Sequence, residues 1–101
     1  MMKKEATISI RFLTAEEGGR QSSLESERYG CPLMIDDGQG FDCRFVLDEV
    51  TVFELGKEYE IAIIFLNPEN ALSYLREGDE VYLWEGKKIG VGTVRKIFSS
   101  E

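Results

Sequence analysis

The chain has 101 residues, 43% apolar and 31% charged, with 12 basic and 19 acidic side chains, no histidine and a net charge of −7. That length suits one domain, residues 1–101, around a modest core, and the acidic balance disfavours nonspecific binding to nucleic acid or anionic lipid. No apolar run is long enough to span a membrane as a helix, and Glu5, Thr7 and Ser9 interrupt the start before it can form a signal core.

The charge is unevenly placed. Residues 1–20 carry four basic and three acidic groups and residues 79–101 carry four of each, whereas residues 21–78 carry four basic and twelve acidic. Any basic patch must therefore be assembled from the two chain ends.

Ala6–Leu13 sets Ile8, Ile10 and Phe12 against Thr7, Ser9 and Arg11, the period of two of a half-buried strand. The segment Leu13–Ser23 that follows, LTAEEGGRQSS, gathers two carboxylates, two glycines and an arginine. Gly18 and Gly19 supply positive-φ backbone there, so that Arg20 reaches back to Glu16 or Glu17, or points outward to a partner.

Cys31–Ile35 reads as a short apolar strand, Asp36–Gly40 as a turn and Phe41–Leu47 as the returning strand. A hairpin centred on Gly38–Gln39 would set Cys43 opposite Met34 and on the other face from Cys31. Both cysteines are therefore expected to be reduced core residues of a cytoplasmic protein. Asp36, Asp37 and Asp42 lack the ligand spacing of a calcium loop and read as turn formers. Two distant cysteines without histidine cannot complete a zinc site, so neither metal nor cofactor is expected.

Glu58–Leu66 is apolar on both faces, with Ile61, Ile63 and Phe65 on one and Ala62, Ile64 and Leu66 on the other. Asn67 as N-cap, Pro68 at the first helical position and Gly78 at the end predict a short helix, whose Leu72 and Leu75 would close one end of a barrel. Glu80–Trp84 is again apolar on both faces, Val81 and Leu83 opposing Tyr82 and Trp84. After the turn Glu85-Gly86-Lys87-Lys88, Ile89–Phe98 closes the chain, with Gly90 and Gly92 on one side, where glycine serves a bend or a close backbone approach. This G-x-G has no third glycine and no following helix, so no nucleotide is expected.

Six short strands predict an all-β fold, a small antiparallel six-stranded β-barrel with one short helix. A barrel strand with one wet face should alternate apolar and polar residues. The second apolar face is thus either covered by the chain's own helix and loops, or it is an exposed docking face made by Ile64, Leu66, Tyr82 and Trp84.

The order strand, Glu16–Arg20 (EEGGR), then Tyr29 and Pro32 before a short strand, resembles the C-terminal (third) barrel domain of bacterial translation elongation factor Tu. The end, LWEGKKIGVGTVRKIF, is similar to that domain's last hairpin, and the likeness runs from Ala6 to Phe98. The chain departs from the family in having Gln21 where histidine is usual, a final turn one residue shorter, and a longer Asn67–Gly78 segment. It also lacks the G-x-x-x-x-G-K-[ST] phosphate loop of the nucleotide-binding domain. The resemblance implies a stand-alone relative of that barrel.

Without histidine the usual general base is missing, so a non-catalytic binding module is expected. Its partner is expected to be a protein or a second copy of the chain. In the rival reading the resemblance implies transfer-RNA or ribosomal RNA contact through Arg20 and Gln21, with Lys87, Lys88, Arg95 and Lys96 adding charge, although the net charge opposes it. A small ligand in the barrel mouth is a third reading.

Overall fold

The computed structural model describes residues 5–26, 29–35, 38–47 and 51–98. Among them are eight strands and one helix: β1 Ala6–Phe12, β2 Leu24–Ser26, β3 Gly30–Ile35, β4 Gly40–Phe45, β5 Thr51–Phe53, β6 Glu58–Phe65, α1 Pro68–Tyr74, β7 Glu80–Trp84 and β8 Lys88–Ile97. Six of the strands close into an antiparallel barrel in the order β1-β6-β4-β3-β7-β8, while β2 and β5 pair with each other as a separate ribbon. The expected six-stranded all-β barrel with a short helix is the fold of the chain.

The alternation along each strand decides which side chains fill the barrel. Ile8, Ile10 and Phe12 of β1 point inward with Ile61, Ile63 and Phe65 of β6, Phe41, Cys43 and Phe45 of β4, Leu33 of β3 and Leu83 of β7, and all are buried. Each such side chain contributes about 1.5–3 kcal/mol by leaving water.

The antiparallel registers fix what closes each end. Ala6 pairs with Ile63, so the start of β1 and the end of β6 share one end. The helix α1 follows β6 directly and plugs that end with Ala71 and Leu75, both buried. Ala71 therefore takes the place expected of Leu72, which is only partly buried. Pro68 opens the helix as expected, but Asn67 makes no side-chain cap bond. The helix stops at Tyr74 because Leu75 is already extended, and Gly78 lies in the turn beyond it, at φ +93°.

The ribbon β2–β5 at the opposite end has no counterpart in the sequence reading. It brings Phe53 against Phe12, Phe45 and Tyr59, with ring centroids 5.4, 5.6 and 5.0 Å apart. The contacts with Phe45 and Tyr59 are edge to face, and rings packed so at such distances exceed the value of their buried area alone.

The β3–β4 hairpin corrects the expected register. Cys31 pairs with Cys43 and Met34 with Gly40. Ile35 N–H donates to Gln39 O at 2.9 Å, so every residue of β3 faces a partner three positions earlier than a turn on Gly38–Gln39 would give it. The two cysteines consequently share the inner face instead of opposing faces, and both are buried free thiols. Asp36 and Asp37 lie outside the described residues; Asp42 is exposed on β4.

Two glycines are required by close approach. A Cβ on Gly92 would sit 1.6 Å from Ser9 O, and one on Gly19 would sit 2.3 Å from Leu13 O. Gly19 thus serves packing and not left-handed backbone; in that loop Gly18 alone has positive φ, at +88°. The neighbouring strand β1 could not lie where it does against a larger residue at 92.

Candidate docking surface

The outer wall over β6, β4, β3 and β7 carries the apolar residues that alternation leaves outside. Leu66 N–H donates to Asp42 O at 3.0 Å, and Asp42 pairs with Pro32. The β3–β7 register pairs Leu33 with Leu83 and Met34 with Tyr82. Extended by one step, it sets Pro32 beside Trp84. Leu66, Asp42, Pro32 and Trp84 therefore form one cross-strand row, its ends about 14 Å apart at about 4.8 Å per strand.

A second row runs parallel to it: Gly40, Met34, Tyr82, Val91. Leu66 is 60% and Trp84 40% exposed, whereas Tyr82 is half-buried. The rings of Tyr82 and Trp84 meet edge to face at 6.4 Å. Lys88 Nζ lies 4.6 Å over the Tyr82 ring, a cation–π contact that holds the lysine against the wall. Between Leu66 and Pro32 runs a groove of about 560 Å³, lined also by Gly30, Asp42 and Arg44. Ile64 sits beside Arg44 at its margin. The four residues read from the sequence as a docking face thus lie on one wall, with Leu66 and Trp84 as its exposed ends. The chain's own helix and loops leave both uncovered. Pro32 and Met34, which complete the wall, escaped sequence reading because Cys31–Ile35 is apolar at every position, so its inner and outer faces look alike.

The glycine loop Leu13–Ser23 stands beside this wall, at the aromatic end of the barrel. Arg20 does not reach back to Glu16 or Glu17. Its Nη1 instead lies 2.7 Å from Glu85 Oε1, across 65 residues of sequence, and its Nε donates to Ser22 O at 3.4 Å. The other Glu85 oxygen accepts from the Tyr29 hydroxyl. Burial, and then this hydrogen bond, push the Tyr29 hydroxyl well above its usual range, so it acts as a donor and not as an acid. Glu85 and Tyr29 were not read as partners of the loop, since nothing local in the sequence joins residues so far apart.

Glu17 is held instead by Arg11, whose two nitrogens reach its two oxygens at 2.9 and 3.1 Å. Thr14 N–H adds a third bond at 2.9 Å. The Arg11 hydrogen bonds first, and the Thr14 N–H second, lower the Glu17 carboxyl from 4.5 to about 2.

The expected basic set is divided. Gln21 and Lys87 are exposed at the loop end, Lys88 lies on Tyr82, and Arg20 is neutralised by Glu85. Arg95 and Lys96 belong to the far part of β8, where Lys96 pairs with Thr7 and stands over the Phe98 ring. Gly90 and Gly92 lie in the first half of the same strand, opposite Phe12 and Ile10.

Fold and wall together define a small closed antiparallel β-barrel with a partly apolar outer face. No protein-family model matches the chain, and no curated protein matches it in sequence. Among the described residues, no helix is long and apolar enough to cross a membrane, and no three His, Cys, Asp or Glu side chains gather as metal ligands.

Proposed function

We propose that the chain is a non-catalytic, cytoplasmic binding module, a detached relative of the elongation factor Tu C-terminal barrel, that docks another protein surface or a second copy of itself. The observation that carries this reading is the cross-strand row Leu66–Asp42–Pro32–Trp84. It carries exposed Leu66 and Trp84 with Pro32 and Asp42 between them and Met34 and Tyr82 in the next row, and Trp, Tyr and Met are residue types enriched at protein interfaces. The transfer-RNA reading is weaker, because Arg20 already spends its charge on Glu85 and the remaining cations are split between the two ends of the barrel.

Trp84 is the chain's sole tryptophan and stands in the row, so its emission reports docking directly. Sedimentation over a concentration series tests self-association, with a blue shift of Trp84 emission accompanying any dimer. A titration with transfer RNA at two salt concentrations tests the rival. Tight binding that weakens steeply with salt and is lost in Arg20→Ala would replace the protein-docking reading with the RNA one.

A further inference from the structure

We propose that Cys31 and Cys43 are a reversible dithiol, oxidised within one chain to a disulfide by a peroxide, with Cys31 reacting first. The two residues are direct cross-strand partners on the inner face of β3 and β4. Phe45 N–H donates to Tyr29 O and Ile35 N–H to Gln39 O. Alternation between these two bonds makes 31–43 a hydrogen-bonded pair of the ladder. Cα atoms in such a pair lie about 5.5 Å apart, inside the 4.4–6.8 Å range that a disulfide spans. The Cβ atoms must still draw together from the usual cross-strand separation, so the bridge forms under strain and is readily reduced.

The surroundings separate the roles of the two sulfurs. Cys43 Sγ donates to Cys31 O at 3.3 Å and is 1% exposed, whereas Cys31 is 7% exposed. Pairing with Cys43 lowers the Cys31 thiol against the opposing effect of burial, whereas the same pairing and burial push the Cys43 thiol up. Tyr29 is in turn held by Glu85, which Arg20 binds at the surface. Polar contacts therefore run from the exposed loop as far as Tyr29, two residues before Cys31.

The chemistry balances in two steps. Cys31 sulfur attacks one oxygen of hydrogen peroxide; the O–O bond breaks, an S–O bond forms, and the leaving hydroxide takes the thiol proton as water. Cys43 sulfur then attacks the Cys31 sulfenic sulfur; the S–O bond breaks as the S–S bond forms, and hydroxide leaves with the Cys43 proton as a second water. Two thiols are oxidised and one peroxide is reduced.

The test treats the native full-length chain with hydrogen peroxide, blocks remaining thiols by alkylation and maps the peptides. The expected result is paired loss of both thiols in the monomer, a peptide linking residues 31 and 43, and full recovery with dithiothreitol. Cys43→Ser should stop at a Cys31 sulfenic acid trapped by dimedone, and Cys31→Ser should lose its thiol at least about ten-fold more slowly than the wild-type chain. Thiols that react only after denaturant is added, a bridge between two chains, or equal rates in Cys31→Ser and wild type would overturn the proposal. With dimedone present during oxidation, the wild-type peptide map decides both the bridge and which sulfur is trapped first, even if neither variant folds.

Discussion

Two arcs of the same barrel wall differ in what they offer to the outside. Over β1 and β6 the outward pairs are Arg11 with Glu58, Ser9 with Glu60 and Thr7 with Ala62. Over β3 and β7 the outward positions hold Pro32, Met34, Tyr82 and Trp84, while β4, between β3 and Leu66, turns Gly40, Asp42 and Arg44 outward. Both arcs line the same interior and obey the same alternation, so the fold does not require the second arc to be apolar. The difference marks a surface whose composition is free of the demands of the core. A barrel that needed its wall only for solubility would resemble the first arc throughout.

The sharpest way to break this contrast is to compare neighbours on β7. Leu83 is fully buried and Trp84 is not. In urea unfolding, Leu83→Ala should cost about 3–4 kcal/mol, whereas Trp84→Ala should change stability by about 0.5 kcal/mol or less. If Trp84→Ala proves as damaging as Leu83→Ala, the second arc is structural and the docking reading fails.

Gly92→Ala should follow in size, at about 3 kcal/mol, because its Cβ would meet Ser9 O, a backbone atom that cannot swing away. The equivalent change at Gly86 meets no neighbouring atom and is strained only by its φ of +72°. It should cost only about 1 kcal/mol, which separates close approach from backbone conformation. Glu85→Ala should cost about 1–2 kcal/mol by stranding the buried Tyr29 hydroxyl and releasing the glycine loop. Amide exchange confined to Leu13–Ser23 would localise the loss.

The smallest effect belongs to the polar arc and concerns pH. The Glu17 carboxyl is lowered in the folded chain, so its pairing with Arg11 stabilises the fold fully above about pH 4.5. That contribution is lost as pH falls from 4.5 through about 2. Arg11→Ala should bring the Glu17 titration, followed by NMR, back toward its ordinary range and flatten stability over that window. An unchanged Glu17 titration would show that Arg11 does not set it.

What could be read in the sequence was what depends on near neighbours. Ile8, Ile10 and Phe12 declare an inner face through their spacing, and Pro68 declares the start of a helix. The hairpin register was not legible. The turn segment Asp36–Gly40 is rich in residues that tolerate tight turns, and the pairing is decided by Ile35 closing on Gln39. The ribbon β2–β5 was not legible either, because three residues per strand carry no periodicity and Phe53 is buried by rings from other strands, those of Phe12, Phe45 and Tyr59. Of the candidate surface, Leu66, Tyr82 and Trp84 were visible as excess apolar residues. Their alignment into rows required the order of strands around the barrel.

The docking claim is tested most directly by retaining proteins from the chain's own host on the tagged wild type, on Trp84→Asp, and on Glu58→Lys from the polar arc. Protein and RNA on each are then identified. The account predicts a defined protein, or the untagged chain itself, held by wild type and Glu58→Lys and lost with Trp84→Asp. Retention indifferent to Trp84, or RNA as the molecule held, would contradict it.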